Sequence, residues 1–280
     1  MKVQFEPFIV EYEPIITPIE SFKVECIIAA KKAISHNICN LPVVVMMSGG
    51  IDSELVAEAM LLAKIPFRCV IGKLQTSIPN QIIIFNEHDY QYAERWCSKN
   101  NVEVIYCEID IFKQNKLLCE YALSAKGFSP QYACHMYIMK WCSENGYFFL
   151  AGNGEMDIIL KDGEYYMMDE QREFTLDNFC KIHSLSGIFQ FWKQDARLVS
   201  SFLQLSTVKE LMNSKISNIL DRKHLCFTDV FEFENRPKFT GFEKVQEWDS
   251  ILRNSMKKIT GIYDAKYLTP ISHFELNNAS

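Results

Sequence analysis

The sequence predicts an α/β fold, a doubly wound and mostly parallel sheet followed by a mostly helical C-terminal half. Three observations carry that reading. The run Val43-Val44-Val45-Met46-Met47 is continuously apolar and largely β-branched, as a strand buried on both faces of a parallel sheet must be. Strand-like and helix-like segments alternate from Pro42 to Ala151, the pattern that right-handed β-α-β crossovers produce. Beyond about Lys161 the strand–helix rhythm gives way to helical periodicity.

The elements follow in order. Val3 to Tyr12 alternates loosely between apolar and acidic residues, as a half-exposed strand does, and Glu20 to Ile34 repeats its apolar residues at helical intervals. After the Val43–Met47 strand, Glu54 to Lys64 is rich in the helix formers Leu, Ala and Met, and Pro66 stops it. Phe67 to Ile71 and Gln81 to Phe85 are predicted strands joined by a polar loop around Ser77-Ile78-Pro79-Asn80. Helices over Asp89–Lys99 and Gln131–Glu144 alternate with strands over Val102–Ile109 and Tyr147–Ala151. Further helices are expected near Leu176–His183, Asp195–Leu205, Val208–Met212 and Phe242–Lys258. The expected organisation is a strand–helix lead-in over 1–40, a nucleotide-binding α/β core over 41–160, and a helical part over 161–280 that completes the site.

Composition narrows the function. A hydrophobic content of 48% supports a real core. No apolar stretch approaches a membrane span, and Met1 to Pro7 lacks the apolar core of a signal peptide, so a cytoplasmic location is expected. A net charge of −6 makes nucleic acid an unfavoured main partner, although Arg236 and Lys238 are suited to a local basic patch. Ten cysteines include no C-x-x-C pair, and six histidines show no H-E-x-x-H spacing, so neither structural zinc nor an iron–sulfur cluster is favoured. Cys134-His135 does not make a nucleophile–base pair, because adjacent helical residues point about 100° apart. Phe189-Gln190-Phe191-Trp192 is expected to pack in the core against helices.

One short run carries chemistry: Ser48-Gly49-Gly50-Ile51-Asp52-Ser53, set between a buried strand and a helix. Two glycines leave backbone N–H groups unobstructed, and the helix N-terminus adds partial positive charge, which together suit an anion such as phosphate. Helix capping is the plainer role for Asp52 and Ser53. Neither G-x-x-x-x-G-K-[ST] nor G-x-G-x-x-G occupies this corner, so γ-phosphate transfer and dinucleotide binding of the usual kinds are not indicated.

The run S-G-G-x-D-S resembles the PP-loop of the N-type ATP pyrophosphatases, and the chain is similar to the synthetase domain of asparagine synthetase-like amide ligases. Asn86, Asp89 and Ala93 resemble that family's segment where an acidic residue opens the next helix. Gly152-Asn153-Gly154-Glu155-Met156-Asp157 resembles its second motif, G-x-G-x-D, with the acidic residue displaced by one, so either Asp157 or Glu155 fills that place. Arg236-Pro237-Lys238 resembles its late R-x-K segment.

The resemblance implies an adenine nucleotide alpha-hydrolase-like fold, ATP and Mg²⁺ as cofactors, and cleavage between the α- and β-phosphates. It implies phosphate binding by Ser48 to Ser53 with Gly152, and Mg²⁺ on Asp52 and Asp157. Adenine would lie against the strand ends near Val70–Lys73, including Gly72. Lys238 would be catalytic with help from Arg236, and Glu155 would act as a base for an incoming amine. The expected reaction is adenylation of an acceptor carboxylate or amide oxygen on a small-molecule acid, then transfer of nitrogen. With only residues 1–47 before the loop, ammonia is expected to come free or from a separate glutaminase. An ammonia-dependent NAD synthetase-like enzyme, which would be a homodimer, a nucleobase-modifying PP-loop enzyme and a non-catalytic nucleotide-binding module are the rival expectations.

Overall fold

The computed structural model describes residues 12–78, 81–125, 130–170, 174–233 and 266–275. The predicted strand over Val3–Tyr12, the helix over Phe242–Lys258 and the segment holding Arg236 and Lys238 lie outside the described residues, apart from Tyr12 itself.

After α1 (Phe22–Ser35), the order is β1 (Val43–Met46), α2 (Ile51–Leu62), β2 (Arg68–Ile78), β3 (Gln81–Ile84), α3 (Glu87–Lys99) and β4 (Val104–Asp110). Then come α4 (Asn115–Ser124), α5 (Pro130–Glu144), β5 (Phe148–Ala151), β6 (Ile158–Lys161), β7 (Glu164–Glu170), α6 (Phe174–His183) and β8 (Gly187–Ile188). The described chain ends with α7 (Ala196–Leu203), α8 (Ser206–Asn213), α9 (Lys223–Thr228) and β9 (Lys266–Pro270).

Among the described residues the central sheet has six strands. β1 pairs in parallel with β2 on one edge and β5 on the other; β4 continues the parallel array beyond β2, and β8 beyond β5. Gln75 of β2 pairs with Ile84 of β3 and with Asp110 of β4, while Cys69 pairs with Val45 and Val104. The antiparallel β3 therefore shares an edge of β2 with β1, lying past the end of β1. From β1 the chain winds outward to β2 and β4, then crosses to β5 on the opposite side. The strand order reverses there, and the carboxyl ends of β1 and β5 flank the crevice where open α/β sheets bind ligands.

Alternation along β1 and β5 builds two cores. Val45, Phe148 and Leu150 face a cluster with α1, α2, α3, α7 and α9, whereas Val44, Met46, Phe149 and Ala151 face one with α4, α5 and α6. Helices on both faces make the fold doubly wound, as the sequence predicts.

Several elements differ from expectation. α2 begins at Ile51, inside the glycine loop rather than at Glu54, because Gly50 is extended and takes the N-cap position. β2 runs on to Ile78, and α4 fills a stretch that has no clear apolar periodicity. β6, β7 and β9 form a separate three-stranded antiparallel sheet. Its middle strand, Glu164-Tyr165-Tyr166-Met167-Met168-Asp169-Glu170, breaks strict polar–apolar alternation, and its partner β9 lies far along the chain. No described helix is long and apolar enough to cross a membrane.

Candidate active site

At the end of β1 the chain turns through Ser48, Gly49 and Gly50 into α2. Gly49 has φ +85°, and a Cβ there would lie 1.8 Å from the carbonyl oxygen of Asp89. Only glycine fits both the left-handed backbone and the contact with α3. The loop is tied by its two serines. Ser53 Oγ donates to Gly50 O at 2.9 Å and accepts from Ser48 N at 3.1 Å, and Gly50 N donates to Ser48 Oγ at 3.3 Å. With the Ser53 proton committed to Gly50, the 3.1 Å contact between the two hydroxyls is donated by Ser48.

The second glycine motif meets the first through backbone. A Cβ on Gly152, at the end of β5, would lie 2.8 Å from Asp52 O and 3.0 Å from Ser53 N. Gly152 is bridged to Gln190, and Gly154, with φ +81°, would place a Cβ 2.1 Å from the Gln190 side chain. These close approaches explain why both positions are glycine.

Ser48, Gly50, Asp52, Ser53, Gly72 and Gly152 all line one cavity of about 350 Å³ at the switch point. Glu155 and Asp157 line it too, so the structure brings both candidate acidic residues of the second motif to the same space. Gly49 and Ile51 stand behind the cavity wall: Gly49 lies under Asp89, and Ile51 packs on the core. On the edge of β2 that faces β1, the Asn86 amide donates to Gly72 O at 2.8 Å and accepts from Leu74 N at 2.9 Å. Asn86 thus substitutes for a neighbouring strand where β1 has ended. α5 contributes Gln131, Tyr132, His135 and Ile138 to the opposite wall.

Asp52 does not cap α2, since Gly50 holds the N-cap position without a side-chain bond. Asp52 Oδ2 instead accepts from Lys223 Nζ at 2.6 Å, and the same ammonium lies 3.0 Å from Glu155 Oε1. Burial on its own would lower the Lys223 pKa, but the charges of Asp52 and Glu155 and their hydrogen bonds outweigh it and raise the pKa. Lys223 opens α9, which is anchored by Phe227: that ring lies 5.7 Å from Trp192, 6.0 Å from Phe22 and 5.5 Å from Phe202.

Sequence reasoning missed Lys223, because nothing in Asp221-Arg222-Lys223-His224 distinguishes it from a solvated lysine. The general-base role expected of Glu155 meets a carboxylate already engaged by this lysine. Cys134 is buried, and burial raises its thiol pKa, with a smaller contribution from Cys107, so it is a core residue. Phe191 and Trp192 are core as expected, though they follow β8 in a bend and a turn, and Phe189 faces the cavity.

The cavity suits a phosphorylated ligand that brings cations with it. One end offers two hydroxyls and the N-terminus of α2, while Asp52, Asp89, Glu155, Asp157 and Glu170 supply carboxylates around it. Oxygen donors of this kind suit Mg²⁺ shared with phosphate oxygens. The place already holds a cation, the Lys223 ammonium. Among the described residues no group of three or more His, Cys, Asp or Glu side chains is arranged to hold a metal ion by itself, so a divalent cation here would need phosphate oxygens and water beside Asp52 and a second-motif carboxylate.

No protein-family model matches the chain, and no curated protein matches it in sequence. Solved structures show remote similarity. A predicted tRNA methyltransferase subunit from Methanocaldococcus jannaschii is 13% identical over 74% of this chain and 87% of its own, with TM-score 0.38. An NH3-dependent NAD synthetase from Campylobacter jejuni is 14% identical over 85% and 93%, with TM-score 0.33. The U34-tRNA thiolase NcsA from Methanococcus maripaludis is 13% identical over 82% and 78%, with TM-score 0.38. Likeness this distant carries no function across.

Proposed function

We propose that the chain is an ATP-dependent, AMP-forming ligase of the asparagine synthetase-like PP-loop kind. The observation that carries this reading is the contact of the two glycine motifs. Gly152 closes against Asp52 and Ser53 at the sheet's switch point, so the S-G-G-x-D-S loop and the Glu155–Asp157 carboxylates open into one cavity.

In this reading Ser48, Gly50 and Ser53 receive the pyrophosphate part of ATP, aided by the partial charge at the start of α2. Adenine would lie along the cavity wall near Gly72, where the missing side chain lets Ile138 of α5 approach the strand. Mg²⁺, held by Asp52 with Asp157 or Glu155, would neutralise phosphate charge when bound. Lys238, with Arg236, would stabilise charge building on the α-phosphate and the leaving pyrophosphate. The acceptor's carboxylate or amide oxygen attacks the α-phosphorus and pyrophosphate leaves; ammonia or an amine, losing a proton, then displaces AMP to give an amide from a carboxylate or an amidine from an amide.

Product analysis tests it. The chain is incubated with Mg²⁺-ATP, ammonium and a panel of acids that includes a dinucleotide acid. Acceptor-dependent AMP and pyrophosphate are expected, and ADP with orthophosphate would overturn the reading.

A further inference from the structure

We propose that Lys223 is a built-in stand-in for a metal ion. It neutralises Asp52 and Glu155 while the site holds no divalent cation, and its ammonium turns to the nucleotide phosphates once those carboxylates are engaged elsewhere. This deepens the adenylating reading and rests on it only for the second half.

The geometry is that of a shared cation. One ammonium lies 2.6 Å from Asp52 Oδ2 and 3.0 Å from Glu155 Oε1, on two segments brought together by the Gly152 contact. Two carboxylates held this close in a partly buried cleft repel each other unless a cation lies between them. Lys223 comes from neither motif. It reaches in from α9, whose position is set by Phe227 in the aromatic cluster with Phe22, Trp192 and Phe202. The helix is thus fixed, and the ammonium is a compact charge on a flexible four-carbon arm. The Lys223 side chain keeps 21% of its surface exposed, so it stands at the rim of the cleft and can leave the carboxylates without unpacking the core.

Thermal melts of the whole chain, with no nucleotide present, test the stand-in role. In chelator-treated buffer, wild type and Lys223→Ala are melted with and without millimolar Mn²⁺. The variant should gain at least about 3 °C from Mn²⁺ and the wild type far less, because only in the variant are both carboxylates without their resident cation. Equal shifts, or none in the variant, overturn the proposal. If the variant does not fold without metal, Mn²⁺ should restore its cooperative melt, and failure to do so is equally fatal. A lysine that merely packs would lose stability on substitution yet gain no metal-specific recovery. A separate arm measures binding of ATP in the presence of Mn²⁺, which should weaken about tenfold in the variant, equivalent to about 1.4 kcal/mol; unchanged affinity overturns the phosphate contact. Wild type that binds no ATP refutes the adenylating reading and leaves the melts to decide on Lys223.

Discussion

Two lysines hold acidic partners, one lysine fully buried and the other beside a cavity. Lys193 donates to Asp169 at 2.8 Å and to Met168 O at 2.9 Å, with both charged side chains 1% exposed. Lys223 holds Asp52 and Glu155 at the rim of the cavity, where the side chains remain 14–30% exposed. The first pair ties β7 to the segment after β8, and no solvent or ligand can take over its charges. The second lies where a ligand can. Full burial beside a buried countercharge makes a lysine a fixture; partial burial beside a cavity makes it exchangeable.

The largest effect should come from breaking the fixed pair. Lys193→Met leaves the Asp169 carboxylate buried without its countercharge, which costs about 3–5 kcal/mol, read by urea denaturation. Adding Asp169→Leu should recover much of that loss, since a well-packed apolar pair replaces a buried ion pair at little cost. A double variant as unstable as the single would show that Asp169 is satisfied by something other than Lys193.

Next in size is Gly49→Ala. It forces a side chain into a left-handed backbone, at about 1–2 kcal/mol, and also into the Asp89 carbonyl 1.8 Å away. A stability loss of about 2–4 kcal/mol is expected, together with lost turnover because the loop and α3 must part. Stability within about 0.5 kcal/mol of wild type would mean that the loop relaxes freely.

These two variants also mark what the sequence discloses. Gly49 is legible, because the strand before it, the helix after it and the serines around it all demand a tight anion-binding turn. The parallel sheet is legible for the same reason: Val43–Met47 and Tyr147–Ala151 are local apolar runs, and each became a strand. Lys193 and Lys223 are not legible. Their roles depend on which carboxylates the fold brings to them from 24 and 171 residues away, and no local pattern encodes that. β7 was hidden similarly, because it pairs with β9 across about a hundred residues. Both strands of the β2–β3 pair are legible as apolar runs, but their antiparallel pairing is not, since Ser77 and Ile78, expected in a polar loop, belong to β2.

Asp52→Asn should separate chemistry from stability at the exchangeable pair. The fold keeps Lys223 on Glu155, so a loss of about 1 kcal/mol is expected. AMP formation should fall below detection, because the remaining amide neither holds a metal ion strongly nor balances the ammonium. Near-normal turnover in a well-folded Asp52→Asn chain would remove Asp52 from the metal site.

The smallest effect belongs to a third lysine, whose partner does two things. Lys32 Nζ lies 2.8 Å from Asp195 Oδ2 with 41% of its side chain exposed, and Asp195 Oδ1 also caps α7 by accepting from Arg197 N at 2.9 Å. Lys32→Ala removes only a solvated ion pair and should cost about 0.5 kcal/mol or less. Asp195→Ala removes the same ion pair together with the cap, and should cost about 1–2 kcal/mol. The difference between the two melts isolates the cap. Equal losses would mean that the exposed ion pair accounts for both, and exposure would then be a poor guide to which lysines in this fold are fixtures.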